Sequence, residues 1–165
     1  MHFPEKCVVL AHPHTSNFDF LIFILARWSV RVRCHWVGKH TLFKPPLGWL
    51  MRFLDGVPVN RSGGRDSVSA IAEAIEERDT IALAIAPSGS RSYGEHWRSG
   101  FYHIAKKANV PIMMGFVDYK SKTAGLSNFS ITLSDDMSAD MDKIREFYAG
   151  MEGRFPEKQN PIRLK

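Results

Sequence analysis

At 165 residues the chain is long enough for one domain with its own core and short for two. Hydrophobic residues make up 44% and charged residues 24%, which excludes extended disorder. The 22 Lys and Arg against 17 Asp and Glu leave a net charge of +5, so an anionic partner is favoured over a cationic one. Nucleic acid, acidic lipid and phosphorylated metabolites all satisfy that charge.

Two cysteines, Cys7 and Cys34, sit in no CxxC or metal-ligand spacing, so neither a disulfide framework nor a metal site is expected. The first six residues lack the basic-then-apolar order of a secretion signal. The longest purely apolar run, Phe20 to Ala26, falls far short of the roughly 20 residues that span a bilayer. The expectation is a cytoplasmic protein that would meet lipid only peripherally.

No repeat, low-complexity tract or linker interrupts the chain, and residues 1–165 read as a single domain. Cys7–Ala11 is a short apolar strand stopped by Pro13. Phe18–Val30 reads as a helix apolar nearly all round, hence buried. Val32–Val37 reads as a strand, and Lys39–Pro46 as a loop that Pro45 and Pro46 keep irregular. Leu47–Leu54 is a short helix, Val57–Asn60 a brief strand, and Asp66–Glu77 an amphipathic helix. Thr80–Ala86 is a strand covered on both faces, Pro87–Arg98 a polar loop and Ser99–Asn109 a helix. Pro111–Tyr119 is a strand, Phe129–Leu133 an edge strand and Met141–Tyr148 a final helix. Alternating strands and helices give an α/β domain, a mixed and mostly parallel sheet flanked by helices.

Ligand sites in such sheets gather beyond the carboxyl ends of the strands. The three most polar loops, around His14, Arg61 and Arg91, each follow an expected strand. In His14-Thr-Ser-Asn-Phe-Asp19 a histidine in the loop and an aspartate in the first helical turn can fold back on each other. An aspartate accepting the Nδ1 proton leaves Nε2 facing a substrate hydroxyl as general base. The same Ser16-x-x-Asp19 spacing also fits a capping box, in which Asp19 only satisfies helix N–H groups. Spacing alone leaves both open.

That segment resembles the HxxxxD signature of the glycerophospholipid acyltransferase family, and the short bacterial members are the most similar. Further blocks follow in the family's order: Gly38-Lys39-His-Thr-Leu-Phe43, Val57-Pro-Val-Asn-Arg61, Pro87-Ser-Gly-Ser-Arg91 and Val110-Pro-Ile112. The resemblance covers about residues 7–120 and implies transfer of a fatty acyl group to a glycerol-phosphate or lysophospholipid hydroxyl in phospholipid biosynthesis. It implies His14 as base, Asp19 as its partner, and Lys39, Arg61 and Arg91 as ligands of the acceptor phosphate. The donor it implies is acyl-CoA or acyl-acyl carrier protein, used as substrate, with no cofactor and no metal.

One block departs from the family. Ser88 stands where the family carries Glu, and Ser90 where it usually carries Thr, within the acceptor-site loop Ser88-Gly89-Ser90. A serine cannot hold an arginine by a bidentate charged pair. The alternative expectation is therefore a catalytically weak or inactive lipid-binding homologue. A nucleic-acid module is disfavoured, since Lys and Arg are scattered from Lys6 to Lys165 rather than set in a stripe interleaved with aromatics. Phe18, Leu42, Phe43, Leu47, Trp49 and Phe53 stand as candidates for an acyl groove, with ordinary core as the preferred reading for each.

Overall fold

The computed structural model describes residues 3–59 and 64–165, with Gly64 and Arg65 described by backbone only. Six strands form one sheet: β1 (Lys6–Ala11), β2 (Cys34–Lys39), β3 (Gly56–Val59), β4 (Ile81–Ile85), β5 (Ile112–Asp118) and β6 (Thr123–Ile131). Their spatial order is β3-β2-β4-β1-β5-β6, and every neighbouring pair is parallel except β5 with β6. Five α-helices accompany them: α1 (Phe18–Ser29), α2 (Gly48–Phe53), α3 (Gly64–Glu76), α4 (Gly100–Lys107) and α5 (Met137–Tyr148).

The sheet is the middle of three layers because its central strands are apolar on both faces. Val8, Leu10, Leu83, Ile112 and Met114 point to one side, where α3, α4 and α5 cover them with Ile75, Phe101 and Ile144. Their neighbours Cys7, Val9, Ala82, Ala84 and Met113 point to the other, under Phe20 and Phe23 of α1 and Phe43 and Met51 around α2. Both cysteines are buried and free.

Three expectations need correction. Helix α1 is not buried all round: Phe18, Leu21, Leu25 and Trp28 are 53%, 56%, 61% and 56% exposed. It lies in an outer layer, and nothing among the described residues covers its far side. The edge strand starts at Thr123, not Phe129, because Lys122 adopts a positive φ of 56° and turns the chain straight back onto β5. Helix α5 starts at Met137 because the Asp136 carboxylate accepts from the N–H groups of Ser138 and Ala139, a cap that apolar periodicity does not reveal. A 3₁₀ turn, His40–Phe43, also occupies part of the expected 39–46 loop.

Candidate active site

Strand β1 ends at Ala11, and His12 N–H extends the ladder by donating to Gly115 O. The chain then turns through residues 13–17 into α1. This short connection sets His14 Nδ1 3.4 Å from Asp19 Oδ2. The His14 side chain keeps 22% of its surface exposed, whereas Asp19 keeps 5%. A separation of 3.4 Å is long for a working hydrogen bond, and such contacts commonly tighten when substrate binds.

Asp19 has four neighbours that donate or can donate. Its Oδ2 accepts from Thr15 N at 2.7 Å and Ser16 N at 2.8 Å, and its Oδ1 accepts from the Tyr119 hydroxyl at 2.8 Å. Burial pushes the carboxyl upward, yet the His14, Ser16, Tyr119 and Thr15 bonds outweigh it and hold Asp19 below the usual carboxylate range. The two sequence readings of Asp19 therefore coexist. The carboxylate ties down loop N–H groups, as a cap would, and faces the imidazole with the same oxygen.

A cavity of about 120 Å³ opens beside this pair and runs beneath α1. His14 and Asp19 border it at the first turn of α1, Phe20, Phe23 and Trp36 along its length, and Val30 at the far end. Of the six residues considered for an acyl groove, none borders this cavity. Phe43 is buried core, whereas Phe18, Leu42, Leu47, Trp49 and Phe53 are exposed. Helical periodicity marks a face as apolar without saying which apolar residues turn inward, so the core reading holds for Phe43 and not for the other five.

Lys39 ends β2 and Arg91 follows β4, so both lie at the sheet edge that carries His14. Both are exposed, without an acidic partner among the described residues, and neither borders the cavity. Arg61 lies outside the described residues. In the loop after β4, Gly89 takes a positive φ of 70° and donates its N–H to Ala86 O. Ser88 Oγ donates to Ser90 O at 3.0 Å, so the serine is engaged inside its own loop. The far end of this loop is strapped by the tail: Asn160 Oδ1 accepts from Gly94 N at 2.8 Å, and Trp97 N donates to Arg163 O at 2.8 Å. No group of three or more His, Cys, Asp or Glu side chains with metal-binding geometry occurs among the described residues.

The family model for acyltransferases matches residues 2–114, which contain the His14–Asp19 pair and four of the six strands in full. The chain belongs to the acyltransferase family. Among solved structures, this chain is similar to the 1-acyl-sn-glycerophosphate acyltransferase PlsC of Thermotoga maritima, with a TM-score of 0.52 and 16% identity. The match covers 87% of this chain and 62% of that one, and it shows the fold. An uncharacterised acyltransferase of Schizosaccharomyces pombe is 27% identical over 125 residues, which are 66% of this chain and 41% of that protein. The chain thus spans less than two thirds of the length of either relative.

The acyltransferase match ends before Tyr119, and sequence reading passed over that residue. Its signal was nonetheless present: Asp118 ends an apolar strand and Tyr119 follows it, at the same carboxyl edge as the His14 loop.

Proposed function

We propose that this acyltransferase moves a fatty acyl group from a thioester, acyl-CoA or acyl-acyl carrier protein, to the hydroxyl of a glycerol-phosphate or lysophospholipid acceptor. The observation that carries this reading is the His14–Asp19 pair at the mouth of an apolar cavity. The acceptor O–H gives its proton to His14 Nε2 while its oxygen attacks the thioester carbonyl carbon. The tetrahedral adduct collapses, the C–S bond breaks, and the leaving thiolate takes the proton from the imidazolium. Asp19 stabilises that imidazolium, and base assistance of this type contributes roughly 10²–10⁴ in rate. The thioester carries its own leaving group, with a thiol pKa of about 8.5, so no covalent serine intermediate is required. The cavity under α1 suits an acyl chain, being lined almost wholly by apolar side chains. Lys39, Arg61 and Arg91 hold the acceptor phosphate from the strand ends, as planar or point cations suit such an anion. No resident cofactor or metal enters this scheme, and nucleic acid is not a partner in it. It runs within the one domain read over residues 1–165, at a cytoplasmic site peripheral to the membrane.

The same reading sets the α1–α2 layer against an anionic lipid surface. Phe18, Leu21, Leu25 and Trp28 on α1, with Leu42, Leu47, Trp49 and Phe53 around α2, are eight large apolar side chains exposed on one side of the sheet. Residues 20–54 carry six Lys or Arg and no Asp or Glu, so the rest of a chain of net charge +5 sums to −1. Five of those cations, Arg31, Arg33, Lys39, Lys44 and Arg52, are exposed. Exposed apolar side chains in one segment with exposed cations, of which Arg33 is paired with Asp55, are the pattern of an interfacial surface. No helix among the described residues is long and apolar enough to cross a membrane.

The decisive experiment replaces His14 by Ala and assays the full chain with palmitoyl-CoA or palmitoyl-acyl carrier protein and lysophosphatidate or glycerol phosphate. Turnover should fall at least a hundredfold. Unchanged turnover defeats the mechanism, and absence of turnover in the unmodified chain with every donor favours the lipid-binding alternative suggested by Ser88.

A further inference from the structure

Asp19 can serve His14 only if its carboxylate plane is held. The Thr15 and Ser16 N–H groups both bind Oδ2, the oxygen that faces His14. Those bonds resist rotation about Cβ–Cγ from one side only, and a bond to the second oxygen adds a hold that does not depend on the loop that bears His14. Among the described residues the other oxygen, Oδ1, has one hydrogen-bond donor, the Tyr119 hydroxyl, 100 positions away in sequence.

Tyr119 is itself anchored. Its N–H donates to Glu152 O at 2.9 Å, and Asp118 Oδ1 accepts from Glu152 N at 3.0 Å. The chain continues from Glu152 across the catalytic loop. Gly153 approaches so near that an added Cβ would lie 2.7 Å from Thr15 Oγ1. Phe155 N–H then donates to Thr15 Oγ1 at 3.2 Å, and the Arg154 guanidinium sits 4.2 Å over the Phe18 ring. Residues 118–119 and 152–155 thus grip both the carboxylate and the loop that bears His14.

We infer that Tyr119 is a positioning residue for the catalytic pair, fixing Asp19 through Oδ1 so that Oδ2 stays aimed at His14. This rests on the acyl-transfer reading above for its consequence, though not for its geometry. The phenol stays protonated through the working range: burial and the bond to Asp19 push its pKa up to about 12, against a smaller opposing pull from Arg154. The titratable groups that act on Asp19 are His14 from its own loop and Tyr119 after β5, and Arg154 acts on Tyr119.

Tyr119→Phe removes the donor and keeps the ring. Amide hydrogen exchange followed by NMR on the full chain should then quicken roughly tenfold at Thr15 and Ser16, with the amides of β1 and β5 unchanged. In the palmitoyl-CoA and lysophosphatidate assay, kcat should fall roughly tenfold with the acceptor KM preserved. The acid limb of the kcat profile should move to higher pH, since the hydroxyl is one of the bonds that keep Asp19 ionised. In an Asp19→Asn background the same change should cost nothing further. Unaltered exchange at Thr15 and Ser16, or quickened exchange shared by the whole sheet, overturns the inference. Turnover surviving in His14→Ala would instead overturn the acyl-transfer reading and leave the exchange result standing.

Discussion

Arg27 Nη2 lies 2.8 Å from Asp55 Oδ2, joining the last turn of α1 to the tight turn that opens β3. The arginine is 9% exposed, and its Nη1 also donates to Cys34 O at 2.7 Å and Leu54 O at 3.3 Å. One guanidinium therefore ties a helix end, the start of β2 and the end of α2. Asp55 supplies the carboxylate that offsets its charge, while Arg27 Nε, also buried, has no hydrogen-bond partner among the described residues.

Asp55→Asn should consequently destabilise the fold by about 3 kcal/mol, the cost of leaving a buried charge unpaired. Asn tolerates the positive φ of 61° at this position, so backbone strain does not confuse the result. Burial raises the Asp55 pKa, but the Arg27 and Arg33 bonds outweigh it, and the net shift is downward. A depressed pKa means stability that is present above the unfolded carboxylate range and lost as pH falls through the folded value. Urea titrations at pH 7 and pH 3.5 should show the gap between variant and parent shrinking in acid.

His12 gives a second pH dependence of different origin. Its ring is 2% exposed, packed edge-on against Trp97 and Tyr148 at centroid distances of 4.8 and 5.0 Å, and neither nitrogen has a hydrogen-bond partner among the described residues. Burial, reinforced by the nearby His14, lowers its pKa from 6.5 to about 3. Between those values the unfolded chain binds a proton that the folded chain refuses, so stability falls with pH. The expected loss from pH 7 to pH 5 is about 2 kcal/mol. His12→Leu should flatten that slope in urea unfolding, and an unchanged slope would assign the acid sensitivity elsewhere.

The layered α/β fold was legible because β1, β4 and β5 are short apolar runs and α3 has a clear amphipathic stripe. The outward face of α1 was not. Phe18, Leu21, Leu25 and Trp28 look like core in sequence, and only the layer order shows that no element covers them. His14 and Asp19 were legible as a local pair, being five positions apart. Tyr119 and the 152–155 segment reach the same carboxylate and loop from 100 or more positions away, and periodicity holds no information about such contacts.

Arg91 and Ser88 test the acceptor site. If Arg91 binds the acceptor phosphate, Arg91→Ala should raise the acceptor KM about tenfold or more and leave the donor KM within twofold. Equal effects on both would place the guanidinium elsewhere. Ser88 donates within its own loop to Ser90 O, and no cation is bonded to it among the described residues. Ser88→Glu should lower the acceptor KM if a carboxylate at this position organises the loop's basic residues, and no change would mean that the serine loop is already organised.

The apolar layer yields the most direct test of a lipid surface. Burying a large apolar side chain contributes about 1.5–3 kcal/mol, so a few such residues suffice for measurable partitioning. The exposed cations of residues 31–52 add attraction that salt screens over about 10 Å at 0.1 M. The full chain should therefore sediment with vesicles containing phosphatidylglycerol more than with pure phosphatidylcholine, and less at high salt. Leu25→Glu combined with Trp49→Glu should lower this binding at least tenfold, since both side chains project from the layer at 61% and 70% exposure. Binding unaffected by that pair would move the contact to another face. Dimerisation in solution that the same pair abolishes, with no vesicle binding by the parent, would assign the layer to a second copy of the chain instead.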